Sequence, residues 1–273
     1  MVPQVMLIWA STRNSLFSVR STLCMISNLF AGIGEYIIFV GNSLSRLPSF
    51  PKRHQEFLIQ LKRIGFDSLF LITLTAAFTG LVTALQAVYQ SKGYIPLHLL
   101  SVLIGKSTMI ELAPVLTALV MTGRVGASIA AEIGTMKVSE QIDALKSMNI
   151  NPHEFLYLPR ILAGIVAFPL ITIFANVVGI VTAWYFSKIR YGIHYYTFFN
   201  NMRSYFEASD LWGGLAKAVV FGFIITSFAC FHGDRAFGGA EGVGKATTQT
   251  VVFSAVAILV MDFIVAWFLF GAI

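Results

Sequence analysis

Charge is scarce in this sequence. Of its 273 residues only 12% are Asp, Glu, Lys or Arg, where a soluble domain averages about 25%. Half the usual charge cannot coat the water-facing surface of a globule this size. A soluble enzyme, a nucleic-acid-binding domain and a disordered chain are therefore excluded as descriptions of the whole chain. Cysteine is nearly absent too. Cys24 and Cys230 lie far apart in apolar stretches, so they form neither a metal-spacing motif nor a disulfide framework. No HExxH pattern, Ser-His-Asp order or paired cysteine occurs. The five histidines, at 54, 98, 153, 194 and 232, are scattered over loops and span ends. Nothing in the pattern asks for a metal or another cofactor.

What is abundant is apolar surface. Hydrophobic residues make up 56% of the chain, including 24 Phe, and the mean hydropathy is +0.76. This composition belongs to an all-α integral membrane protein, with room for five or six spans of about 20 residues. The net charge of +6 sets topology rather than attracting nucleic acid.

Residues 1–47 read as an interface-lying amphipathic segment, because residues 23–40 are apolar but interrupted by Asn28, Gly32, Gly34 and Glu35. The alternative is a sixth span. A basic turn rich in proline, Arg46 to Arg53, precedes the remaining chain, residues 48–273. Five apolar runs follow, at about 66–89, 99–122, 155–187, 211–232 and 248–271, each long enough to cross about 30 Å of hydrocarbon. Pro159 suits a first helical turn and Pro169 should kink the third span. Residues 188–210 read as a mixed loop and 233–247 as a glycine-rich one. With the N-terminus inside, the outer side holds only Lys92, Lys106, Lys188, Arg190 and Arg203. Lys217 falls within a span, and every other basic residue lies inside.

Charges inside spans are costly and default to functional hypotheses. Asp67, Glu111, Lys217 and Asp262 are the candidates. They pair in the interior, Lys217 with Asp262 or Glu111, and hold helices together, or they line a substrate path or gate, or they snorkel to the interface, where Asp67 near a span end would face headgroups. Between spans two and three, Glu132, Lys137, Glu140, Asp143 and Lys146 make the chain too polar to span. The apolar residues Ile129, Ile133, Met136, Ile142 and Leu145 recur there at helical spacing. The pattern predicts a short amphipathic helix on the cytoplasmic face, ended by Asn149, Asn151 and Pro152, that serves either as an interfacial connector between the spans or as a docking helix for a soluble partner. The run Gly239-Ala-Glu-Gly-Val-Gly-Lys245 nearly fits a phosphate-binding loop. Ala246 stands where Ser or Thr should hold magnesium, and no strand precedes it, so a tight backbone turn is the better account.

Several blocks in order carry a family resemblance: Glu111-Leu-Ala-Pro-Val-Leu, then Gly123-Arg-Val-Gly-Ala-Ser-Ile-Ala-Ala-Glu-Ile-Gly-Thr-Met, Glu140-Gln-Ile-Asp-Ala-Leu, Asn151-Pro, Lys217-Ala-Val-Val-Phe-Gly, Gly238 to Thr247, and Asp262-Phe. Over roughly residues 52–271 the sequence resembles the MlaE/YrbE permeases, membrane subunits of ABC transporters that move phospholipids between membranes. The resemblance implies an N-terminal interfacial helix, five transmembrane helices and a cytoplasmic coupling helix at about 126–148. It implies a homodimer, a separate cytoplasmic ABC ATPase, an MCE-domain lipid-binding protein on the outer side, and phospholipid as cargo. The chain would then be a transport subunit rather than an enzyme. Its site would be the cell inner membrane or, alternatively, a plastid inner envelope. It makes Arg124, Glu132, Glu140 and Asp143 candidates for ATPase coupling. It makes Thr83, Gln90, Ser91, Tyr94, Glu111 and Leu112 candidates for a lipid cavity, and Lys217 and Asp262 match charged positions within the membrane. Two departures touch the lipid contacts. Some members carry Arg immediately before the span-two Glu, where this chain has Ile110, and apolar cavity positions become Thr83, Gln90 and Ser91. Two other readings compete: a channel or carrier that needs no ATP, and a membrane scaffold without transport activity.

Overall fold

The computed structural model describes residues 31–48, 53–91 and 99–271, except that the side chains of Ser91 and Phe270 are not described. Among the described residues the chain is almost entirely helical and contains no strand. It divides into two units, Met1–Ser45 and Arg46–Ile273. In the first, residues 31–44 form a helix, α1, which exposes Ile33, Ile37, Ile38 and Leu44. The rest of the expected interfacial segment, residues 1–30, lies outside the described residues.

The second unit holds five helical stretches long and apolar enough to cross a membrane: His54–Gln90, Leu100–Val138, His153–Tyr191, Ala208–Asp234 and Gly239–Leu269. The first joins α2 (His54–Gly65) to α3 (Leu69–Ser91) through a 3₁₀ turn, Phe66–Ser68. The second joins α4 (Leu100–Ser107), α5 (Ala113–Met121) and α6 (Ala127–Val138) through two π-helical turns, Thr108–Leu112 and Thr122–Gly126. α7 (Gln141–Ser147) follows. The third is α8 (Leu158–Tyr191), entered through a π turn at His153–Tyr157. α9 (Tyr195–Ser204), α10 (Ala208–Asp234) and α11 (Gly239–Phe270) complete the chain.

Two of the π turns have a local cause. A proline lacks an N–H and its ring clashes with the carbonyl four residues back. Pro114 and Pro159 each stand just after a π segment that contains that carbonyl residue, Ile110 and Phe155 respectively. The wider turn accommodates the ring without ending the helix. α8 likewise continues unbroken through Pro169.

α8 lies at the centre. It packs against α2 and α3 on one side and α10 on another, and α10 packs in turn on α6 and α11. Small residues let these helices approach closely, as packing in lipid requires. A Cβ on Gly80 would overlap the Gly179 carbonyl, and one on Gly222 would lie 2.5 Å from the Gly164 carbonyl and 2.9 Å from Phe168 Cβ. At the other end of spans one to three, Ala84, Ile104, Ile180, Ala183, Ile193 and Phe198 form a buried cluster roofed by α9.

Three expectations require correction. Residues 188–210 are not simply loop, because Phe198 buries against that cluster and orders α9. Residues 126–148 are not one separate helix. α6 prolongs span two without a break, with Ile129, Ala130, Ile133 and Gly134 buried. The chain then turns at Glu140, whose φ of 60° is left-handed, into the separate α7. Third, the glycine-rich loop is shorter than 233–247. Gly239–Lys245 already forms the first turns of α11, and the reversal is confined to the residues before it. Gly238 and Gly239 take φ of 91° and 76°, which glycine adopts without steric cost.

Candidate functional site

Helical spacing builds the first part of the site. On α3, Thr83, Gln86, Ala87 and Gln90 fall at intervals of three and four, so they share one face. On span two, Leu103, Ser107 and Glu111 recur every fourth residue, with Ile104 and Leu112 beside them. These two faces confront each other across a cleft of about 600 Å³ lined by all nine residues. Its walls are largely apolar. The Thr83 hydroxyl does not change that, since it donates to the Thr79 carbonyl on its own helix at 2.7 Å. Gln86, Gln90 and Ser107 are exposed in the cleft and supply its neutral polar groups.

Glu111 marks one end of this wall. The Lys217 ammonium reaches it from α10, with Nζ 2.6 Å from Oε1, and also lies 2.8 Å from Oδ1 of Asp262 on α11. Lys217 is fully buried, whereas the Glu111 side chain is 44% exposed on the cleft side and that of Asp262 22%. Neither contact has good hydrogen-bond angles, so the attraction is Coulombic. A lysine in this position is tolerable only because carboxylates flank it on both sides. The cluster thus ties spans two, four and five together at one level.

A second charged cluster lies at the other end of span two. Glu132 on α6 accepts from Arg63 Nη1 of α2 at 2.6 Å and pairs with Arg160 Nη2 of α8 at 3.2 Å. Arg160 is buried and donates also to the Leu156 carbonyl. About two helical turns before Glu132, Arg124 donates to the Ser68 hydroxyl of span one. Arg63, Asp67 and Arg124 line a small crevice of about 120 Å³ between these two spans. Tyr157, in the π turn that leads into α8, adds a link to α10 by donating to Asp234 Oδ1 at 2.6 Å.

The candidates for coupling therefore separate into two kinds. Arg124 and Glu132 point to neighbouring spans. Glu140 and Asp143 stand on the exposed surface of the turn and α7. Asp143 pairs with Lys146 at 3.1 Å and Lys137 at 3.5 Å. The hydrogen bond from Lys146, aided by the charge of Lys137, holds its carboxyl below the ordinary aspartate range. Of the cavity candidates, Thr83, Gln90, Glu111 and Leu112 come together in the cleft. The Ser91 side chain and Tyr94 lie outside the described residues. Sequence reasoning missed Gln86 and Ser107, although a search for residues on the faces of Gln90 and Glu111 would have found them. It also missed Arg63 and Arg160, whose partner is remote in sequence.

Comparison with known proteins agrees with this architecture. The family model described as Permease MlaE matches residues 57–268. A probable ABC transporter permease protein of Rickettsia typhi is 35% identical over 238 residues, covering 87% of this chain and 92% of that protein. The intermembrane phospholipid transport system permease protein MlaE of Haemophilus influenzae is 32% identical over 263 residues, covering 91% of this chain and all of that protein. The chloroplastic protein trigalactosyldiacylglycerol 1 of Arabidopsis thaliana is 33% identical over 233 residues, covering 85% of this chain and 67% of that protein.

Proposed function

We propose that this chain, which belongs to the MlaE permease family, is the multi-pass membrane subunit of an ABC transporter that carries phospholipid along the cleft between spans one and two. The observation that carries the reading is the cleft itself. It offers largely apolar walls for acyl chains, the neutral polar groups Gln86, Gln90 and Ser107 along them, and the Glu111 carboxylate at one end for a headgroup. A phospholipid combines those two chemistries. The similarity to a phospholipid transport permease supports the same cargo.

On this reading work enters from a separate cytoplasmic ATPase, as the ABC transporter permeases similar to this chain suggest. Glu140 and Asp143 are the surface that such a subunit grips, through helix α7. Arg124 and Glu132 pass the displacement on, because moving α6 must move or break the contacts to Ser68, Arg63 and Arg160. Those contacts lead to spans one and three, and span two itself leads to Glu111 and the cleft. Opening and closing the ATPase pair would then widen and narrow the lipid path. A second copy of the chain completes the path on its open side, and an MCE-domain protein exchanges lipid at the outer face. The assembly belongs in a bacterial inner membrane, with a plastid envelope as the alternative.

The test is ATP-dependent transfer of a fluorescent phospholipid from vesicles holding the permease with its ATPase. Leu112→Trp, which fills the cleft, should abolish transfer while the complex still assembles. Transfer at the wild-type rate by the assembled Leu112→Trp complex would refute the cleft as the path.

A further inference from the structure

The charges around the cleft do not balance. Lys217 brings one positive charge, and Glu111 and Asp262 bring two negative ones. Among the residues that line the cleft there is no lysine or arginine. The nearest basic residue on the span-two wall is Lys106, and it is already engaged, 3.2 Å from both Glu207 Oε1 and Asp210 Oδ2. Among the described residues the cluster has no other ion-pair partner. Lys217 is spent between the two carboxylates and sealed from the cleft, whereas Glu111 is the member that the cleft exposes.

We infer that the cleft selects phospholipids whose headgroup carries an ammonium, which docks on Glu111. This rests on the cleft being the phospholipid path. Uncompensated charge in a low-dielectric wall attracts a counter-charge strongly and repels a like charge. A headgroup with phosphate and ammonium brings the missing positive charge to Glu111. Its phosphate can accept from the neutral donors Gln86, Gln90 and Ser107, which stand on the same cleft. A headgroup bearing phosphate alone meets the carboxylate with no cation to offset it.

The experiment is native mass spectrometry of the detergent-purified full chain. The protein is equilibrated with mixed micelles holding equal amounts of phosphatidylethanolamine and phosphatidylglycerol with the same acyl chains. The wild-type protein should hold the ethanolamine lipid in about tenfold excess, equivalent to about 1.4 kcal/mol. In Glu111→Gln the ratio should fall to about one, as expected for removal of the uncompensated charge. Asp262→Asn removes the same charge from outside the cleft lining, and should lower the ratio even if Glu111→Gln does not fold. A wild-type ratio near one, or an undiminished ratio in either neutralised protein, overturns the selection. Leu112→Trp separates this from the underlying reading. If it loses bound lipid while the wild-type ratio is one, the cleft stands and the selection falls. If it binds lipid as the wild type does, both fall.

Discussion

Replacing Lys217 by Met tests whether the buried cluster is held by charge. The ammonium is fully buried and lies 2.6 Å and 2.8 Å from its two carboxylates. Methionine has nearly the same length and keeps the packing of the stem. What changes is that Glu111 and Asp262 then face each other without a cation, and one must take up a proton or admit water. Removing one partner of a buried ion pair costs about 3–5 kcal/mol. Glu111 is 44% exposed, so water and protons reach it, and the expected loss lies at the low end, about 3 kcal/mol. The triple replacement Lys217→Met, Glu111→Gln, Asp262→Asn removes the mismatch as well as the attraction. It should return to within about 1 kcal/mol of wild type, because neutral isosteres of a buried ionic cluster are often tolerated. Equilibrium unfolding in mixed micelles, titrated with a denaturing detergent and followed by circular dichroism, measures both. A single variant as stable as wild type would refute the reasoning. So would a triple variant no more stable than the single.

Glu132→Gln should cost about 3 kcal/mol in the same assay, since it strands the buried Arg160, whereas Arg63→Ala should cost less than about 1 kcal/mol because that partner is half exposed. Gly222→Ala should lose about 1–3 kcal/mol, its Cβ falling 2.5 Å from the Gly164 carbonyl, while Gly123→Ala, with nothing within 4 Å, should be neutral or stabilising. Glu140→Lys and Asp143→Lys should each reduce co-purification of the ATPase at least severalfold without lowering the amount of membrane-inserted permease, as quantitative immunoblotting of the two fractions would show. The depressed carboxyl of Asp143 fixes a sign for pH. Its pairing contributes fully above the ordinary aspartate range and is lost as pH falls through the lower native value. A carbon-13 carboxyl titration should therefore place Asp143 below a free aspartate, and Lys146→Ala should move it back up.

The five spans were legible because apolar runs of this length have few alternatives. The intramembrane pairing was legible because a lysine in a span demands a carboxylate, and Glu111 and Asp262 were the ones available. The ends of the elements were hidden for a shared reason. Arg124 and Glu132 look like residues that stop a span. Yet contacts with Ser68, Arg63 and Arg160 satisfy them, so the helix can run on through them to Val138. Those partners lie on other spans, and no local pattern points to them. In Gly239–Lys245 the glycines suggested a loop, but only Gly238 and Gly239 use the left-handed freedom that glycine provides. The remaining residues enter a helix whose later apolar run stabilises it.

The length of span two gives its two clusters their meaning. Leu100–Val138 holds 39 residues, which at 1.5 Å each reach about 58 Å, nearly twice the hydrocarbon thickness. The apolar run occupies only its first part, and the proposed mechanism therefore places α6 beyond the lipid while it remains the same helix. Glu111 and Glu132 are 21 positions apart, and the same rise separates them by about 31 Å. On that reading one lies at lipid depth and the other in the projecting portion. A hinged loop would dissipate a push at its joint, whereas a continuous helix carries it along its axis. The two π turns bracket α5, and a widened turn is where a helix axis changes direction with the fewest broken bonds. On the proposed mechanism span two is a lever held by ion pairs at Glu111 and Glu132, with one widened turn at Glu111 and another between the two. The helix that would join the ATPase-facing surface to the cleft is then also the helix that bears the cleft's exposed charge.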